Sequence, residues 1–69
     1  MRLRDLREDN DLKQADIARL LNVKQNTYSQ YENGKREIPI SMLWTLADFY
    51  HTSIDFLVGR TNIKNDEQK

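Results

Sequence analysis

Between residues 25 and 30 the chain reads Gln25-Asn26-Thr27-Tyr28-Ser29-Gln30, three amides and two hydroxyls around one aromatic. A Gln or Asn amide presents a donor and an acceptor together, the pattern that pairs bidentately with N6 and N7 of adenine in a major groove. A Ser or Thr hydroxyl donates and accepts at one atom. This is chemistry for recognition rather than for bond breaking. Ser29 and Ser41 have no base near them in the sequence, so nucleophilic catalysis has no support. His51 is the single histidine and there is no cysteine, so neither a general base with partners nor a thiolate metal site is expected. His51 reads as a residue at a helix C-terminus, where the dipole favours it. No metal, cofactor or catalytic residue is expected, and the chain is not read as an enzyme.

The amides matter only if a helix turns them outward. Tyr28 and Tyr31, three apart, supply the inner face of a helix predicted over 25–33. That leaves Gln25, Asn26, Ser29 and Gln30 outside, with Thr27 at the flank. Exposed helix positions chosen for propensity alone favour Glu, Lys and Ala; a surface of amides and hydroxyls is a local cost of the kind that function imposes. Before it, Ile17, Ala18, Leu20 and Leu21 predict a helix over 14–21 with all four on its buried face. Between the two, Asn22 tolerates positive φ, and Ala18 is small enough for the steep crossing that such a short connection requires. Buried anchors on either side are Ile17, Leu21, Val23, Tyr28 and Tyr31.

The remaining elements follow the same logic. Leu3 and Leu6, then Leu12, predict a first helix over 2–10, broken at Asn10 and Asp11. Gly34 closes the third helix in the C′ position. Pro39 biases Ile38 away from helix, and a fourth helix is predicted from near Ser41 with Leu43, Leu46, Ala47 and Tyr50 inside. Ser53 caps a short fifth helix carrying Ile54, Leu57 and Val58, which Gly59 ends. Glycine and proline are scarce, two and one, favouring helices over a sheet. The expected fold is all-α, a compact five-helix domain over residues 1–59, with a polar, frayed tail over 60–69.

At 69 residues the chain is one domain, and a domain so small buries only about 60% of its unfolded surface. Apolar runs are far too short to span a membrane, and Met1-Arg2-Leu3-Arg4 lacks the apolar stretch of a signal peptide, so a cytoplasmic location is expected. Net charge is zero, from 11 basic and 11 acidic residues, whereas nucleic-acid-binding domains are usually basic. The distribution is uneven: from Arg19 to Arg36, Arg19, Lys24, Lys35 and Arg36 face only Glu32, an excess of three positive charges.

In sum of its ordered motifs the chain resembles the XRE-like helix-turn-helix family of phage repressors, Cro proteins and related bacterial transcriptional regulators. The resemblance covers Leu3 to Val58. It is carried by Leu3, Leu6 and Arg7, by Gln14 with Ala18, by Val23 and Ser29, by Glu32-Asn33-Gly34-Lys35, by Pro39 and Leu46-Ala47, and by Ser53-Ile54-Asp55-Phe56-Leu57. It implies a repressor-like fold working as a homodimer on a near-palindromic double-stranded DNA operator. It puts Gln25, Asn26 and Gln30 on base-reading positions, with Thr27 and Ser29 beside them. Gln14 falls on a phosphate-binding position, and Asn33 and Lys35 on a phosphate-contacting loop that runs on into Arg36. Arg7 and Glu32 fall on a pair that joins the first helix to the end of the third, where Arg can hold a carboxylate through two parallel bonds.

The chain departs from that pattern at Lys13 and Lys24, which stand where the family often has a capping hydroxyl. Lysine accepts no hydrogen bond, so each side-chain cap is lost at about 1 kcal/mol. Bound phosphates would reverse the penalty of a cation at a helix start, which places both lysines toward DNA. Asp11 and His51 stand where the family commonly has glycine. Trp44 and Phe49 flank the stripe of the fourth helix. They either cover the edges of a small core or present a partner surface, in which Trp and Phe are enriched. With Ile54 and Phe56 they form the expected dimer contact. The competing reading is a protein-interaction module, such as an antitoxin or a partner-controlled regulator, which the zero net charge and the exposed aromatics would suit.

Overall fold

Leu3 and Leu6 are enough to fix the first helix. Three apart, they fall on one side of α1 (Leu3–Asp9) and both are buried. The computed structural model describes residues 1–61. Among these, α1 is followed by α2 (Gln14–Leu21), α3 (Gln25–Glu32), α4 (Ile40–Tyr50) and α5 (Ile54–Val58), with no strand. One core joins all five: Leu3 and Leu6 from α1, Ile17, Ala18 and Leu21 from α2, Tyr28 and Tyr31 from α3, Leu43, Leu46, Ala47 and Tyr50 from α4, and Leu57 from α5. Ile38, next to Pro39, plugs the core from the α3–α4 loop.

One apolar residue departs from the periodic expectation. Leu20, grouped with the buried face of α2, is 41% exposed. Successive residues on a helix lie about 100° apart, so Ile17, Ala18 and Leu21 already fill the face that α3 covers, and Leu20 turns to its flank. Helix ends differ slightly from expectation as well. α3 stops at Glu32, one residue early, and α4 begins at Ile40 directly after Pro39, whose fixed φ suits a helix entry and whose missing N–H goes unneeded there.

All five helices close in the same way. A left-handed residue stands directly after α2, α4 and α5 and one position later after α1 and α3: Asp11 (φ 58°), Asn22 (59°), Gly34 (75°), His51 (57°) and Gly59 (87°). In each case that residue and the next donate their N–H groups back into the last turn, as in Val23 to Ala18 (2.9 Å), Lys35 to Gln30 (2.9 Å) and Thr52 to Ala47 (2.9 Å). This is the Schellman arrangement, which satisfies carbonyls a helix end otherwise leaves orphaned. Three of the five positions carry a side chain. An αL conformation costs an ordinary residue about 1–2 kcal/mol, with Asn and Asp the least penalised. His51 therefore stands in the least comfortable of these turns.

Helix starts are less uniform. Ser53 Oγ accepts from the Phe56 N–H (3.0 Å) and caps α5. Lys13 and Lys24 cap neither α2 nor α3 through their side chains, but α2 is not left bare: the Lys13 N–H donates to Asp16 Oδ2 at 2.8 Å. Asp16 thus supplies the returning half of a capping box and a negative charge in the first turn. Arg60 and Thr61, read from composition as part of a frayed tail, are tied back. The Arg60 N–H donates to the Asp55 carbonyl (2.8 Å) and the Thr61 carbonyl accepts from Arg2 (2.7 Å). The rest of the expected tail, including Asp66 to Lys69, lies outside the described residues.

Candidate nucleic-acid interface

Tyr28 and Tyr31 are buried, and this fixes the roll of α3. Gln25 and Asn26, at its start, are exposed; Thr27, Ser29 and Gln30 are half-buried. The outward surface is therefore weighted to the first turn, with the others along its edges. Neither Gln25 nor Asn26 has a side-chain hydrogen bond among the described residues, so both amides face solvent with their donors and acceptors uncommitted. Lys13 and Lys24, just ahead of α2 and α3, are exposed.

The other end of α3 is a polar hub. The Glu32 side chain is inaccessible to solvent and Arg7 is 12% exposed. Arg7 Nε donates to Oε2 at 2.7 Å and the same guanidinium donates to Oε1 at 3.2 Å, a two-bond fork from α1. Its third bond goes to the Leu12 carbonyl (2.9 Å). From α2, Gln14 Nε2 donates to Glu32 Oε1 at 3.1 Å. Arg4 Nε lies 3.5 Å from the same oxygen. One carboxylate on α3 thus gathers groups from α1 and α2. Burial pushes the Glu32 carboxyl up, but hydrogen bonding, chiefly from Arg7 and also from Gln14, prevails and holds it below its usual 4.5. Arg7 is raised in turn, mainly by its bond to Glu32. The hydroxyls of Tyr28 and Tyr50 are buried with no hydrogen-bond partner among the described residues. Burial pushes both phenols up, Tyr50 to about 12.

Residues assigned to phosphate by resemblance lie in two settings. Lys35 and Arg36 are exposed, with no acid in ion-pair range among the described residues. Gln14 and Asn33 are already engaged. Gln14 spends one N–H on Glu32. Asn33 Oδ1 accepts from Arg4 (2.8 Å), and its Nδ2 lies 3.4 Å from Ser29 Oγ. An amide nitrogen has two N–H groups, so each retains a donor, and its direction is set by the bond already made.

The apolar surface is divided. Trp44 is 61% exposed, and Ile40, one turn earlier on α4, is exposed beside it. Phe49 is also exposed, its ring edge-on to Tyr50 with centroids 5.1 Å apart. Five residues separate Trp44 from Phe49, about 140° around the helix, so they lie on opposite flanks of α4 rather than on one surface. Ile54 and Phe56 are half-buried against the core. The Arg2 guanidinium covers one face of Phe56, 4.2 Å from the ring centre, while donating to the Phe56 carbonyl at 2.7 Å.

Arg2, Arg4, Ile40 and the Gln14–Glu32 bond carry no role in the sequence reading. A signal for Arg4 was present: it precedes Arg7 by three residues and so shares a helix face with it. Arg2 had no such signal, because the acceptors it meets at Phe56 and Thr61 are backbone carbonyls far along the chain. Among the described residues, no group of three or more His, Cys, Asp or Glu is arranged to hold a metal ion, and no helix is long and apolar enough to cross a membrane.

Comparison with known proteins agrees with this architecture. A family model described as helix-turn-helix matches residues 3–57. The phage CTXphi transcriptional repressor RstR of Vibrio cholerae is 36% identical over 67 residues, 97% of this chain and 60% of that protein. The transcriptional regulator AnsR of Bacillus subtilis is 36% identical over 63 residues, 91% of this chain and 54% of that protein. The antitoxin PezA of Streptococcus pneumoniae is 27% identical over 63 residues, 91% of this chain and 40% of that protein. The chain spans about half the length of the curated relatives it matches. No solved structure matches. With five helices among the described residues, a left-handed turn at Asn22 between α2 and α3, and a family model matched from Leu3 to Leu57, the chain belongs to the helix-turn-helix family.

Proposed function

We propose that this chain is a sequence-specific double-stranded-DNA-binding domain that represses transcription, with α3 entering the major groove. The observation that carries the reading is the pair of exposed, uncommitted amides, Gln25 and Asn26, at the start of α3. Recognition helices of this motif contact base edges with their N-terminal residues, and here that end is left open while the opposite end is locked. In this reading Gln25, Asn26, Thr27, Ser29 and Gln30 read bases. Lys13, Gln14, Lys24, Asn33, Lys35 and Arg36 hold phosphates. The protein works in the cytoplasm, where its duplex is.

One module buries only about 600–1,000 Å² on DNA, and a neutral domain has little charge to add to that. Two copies on one near-palindromic operator, with their α3 helices about 34 Å apart, supply the rest. The C-terminal third, through Ile54 and Phe56 with Trp44 or Phe49, forms the two-fold contact. Sedimentation on a palindromic site tests it: two copies per duplex are expected, and Phe56→Glu or Trp44→Glu lowers that binding. One copy per duplex, unchanged in both variants, contradicts the dimer.

The second reading, a protein-interaction module, rests on the exposure of Trp44, Ile40 and Phe49 in a chain of zero net charge and on the likeness to an antitoxin. Binding to a random-sequence duplex across a salt series separates the two. The DNA reading expects affinity that rises as salt falls; no affinity even at low salt favours the protein partner.

A further inference from the structure

The geometry points to Arg4 as a phosphate-contacting residue that α1 contributes to the DNA interface, an inference that rests on the DNA reading above. Arg4 sits between Glu32 and Asn33 at the C-terminal end of α3. Its Nη2 donates to Asn33 Oδ1 at 2.8 Å, and its Nε lies 3.5 Å from Glu32 Oε1. The Glu32 carboxylate is already neutralised by the Arg7 fork at 2.7 and 3.2 Å. Two arginines thus share one carboxylate, and the unbalanced charge falls on Arg4, which is 54% exposed where Arg7 is 12% exposed. A guanidinium has five N–H donors in a fixed fork suited to phosphate. Arg4 spends one on Asn33 and turns its Nε toward Glu32 Oε1, and the other N–H groups of its two terminal nitrogens have no hydrogen-bond acceptor among the described residues. Lys35 and Arg36 follow Asn33 in the chain and are exposed. The end of α3 therefore gathers Arg4, Arg7, Lys35 and Arg36 against Glu32, Glu37 and, one turn along α1 from Arg4, Glu8, an excess of one positive charge in a chain whose total is zero.

A purely structural role is the alternative, since a cation at a helix C-terminus interacts favourably with the dipole. The two roles differ in salt dependence. Each phosphate neutralised adds about 0.9 to the slope of log affinity against log salt, and a dipole contact adds nothing to it. Binding of a short random-sequence duplex is measured from low to moderate salt for the wild type, Arg4→Gln and Arg4→Lys. The expected result is a slope shallower by about 0.9 in Arg4→Gln, with affinity lowered alike on every sequence, and a wild-type slope in Arg4→Lys. A wild-type slope in Arg4→Gln overturns the inference, as does an equal loss in both variants, which would assign the effect to the fork holding Asn33 and Glu32. Arginine-selective dicarbonyl labelling of the wild type, read by mass spectrometry, needs no variant to fold. Arg4 is labelled in the free protein and protected by the duplex; labelling undiminished by bound duplex overturns the assignment. If the wild type binds no duplex at all, it is the DNA reading that has failed, a result distinct from binding with an unchanged slope.

Discussion

The two ends of α3 are built on opposite principles. At its start, Gln25 and Asn26 stand exposed with no hydrogen bond among the described residues, and Lys24 gives the helix no side-chain cap. At its end, Glu32 is sealed from solvent and takes bonds from α1 and α2, while a left-handed Gly34 closes the backbone. The start spends stability on surface that helps the helix little; the end over-determines where the helix lies. The contrast teaches that α3 is positioned from its C-terminal end while its first turn stays unencumbered, as the proposed DNA reading requires. Placing recognition groups on a rigid element and supporting them from a second layer is how a binding constellation keeps its geometry.

The largest effect expected from breaking this contrast is at the hub. Arg7→Ala and Glu32→Ala each strand a buried charge, and removing one partner of a buried pair costs about 3–5 kcal/mol. In a domain of this size each kcal/mol shifts the midpoint by about 4–8 °C, so thermal denaturation should register both changes strongly. Gln25→Ala and Asn26→Ala, exposed and unpartnered, should stay within about 0.5 kcal/mol of wild type. Equal melting of hub and front variants would dissolve the contrast.

Acid should act on the same hub. The folded Glu32 carboxyl lies below its usual 4.5, so its contribution to stability is fully present above pH 4.5. It is lost as pH falls through the lower folded value. At the alkaline end the sign reverses. Tyr28 and Tyr50 titrate above their ordinary 10.0 when folded, so their contribution holds below pH 10 and is lost as pH rises beyond it. Denaturation across pH should show Glu32→Gln with a flatter acid limb than wild type.

The smallest effect concerns turns that neither end of α3 uses. His51→Gly removes the αL penalty at φ 57° but adds glycine's unfolded-state entropy, a cost of about 0.4–1 kcal/mol against a gain of about 1–2. A stabilisation of about 1 kcal/mol is expected in urea denaturation, with less at Asp11, whose side chain tolerates the conformation better. A loss at His51 would mean that its side chain makes a favourable interaction that glycine cannot replace.

Much of this is legible in the sequence. The stripe of Leu3 and Leu6, the Ala18–Asn22–Val23 spacing and the Tyr28–Tyr31 pair define three helices and their order, because periodicity records which face is buried. Leu20 departs from its expected burial because four apolar residues crowd two turns, and spacing alone does not say which of them a neighbouring helix covers. The engagement of Gln14 and Asn33 was invisible for another reason: both depend on where α1 lies across α3, a tertiary fact. The Arg2 contacts to the Phe56 and Thr61 carbonyls are of the same kind, since a backbone acceptor leaves no mark on residue identity.

Selection of duplexes from a random pool, carried out in parallel for wild type, Asn26→Ala and Lys35→Ala, tests the central claim most directly. The account predicts one preferred sequence for the wild type. Asn26→Ala should lose preference at one base pair, at a cost of about 1–3 kcal/mol on the preferred site alone. Lys35→Ala should keep the preferred sequence, bind every duplex more weakly and show a salt slope lower by about 1. A preferred sequence that changes with Lys35→Ala and survives Asn26→Ala would contradict the assignment of α3's open end to base reading.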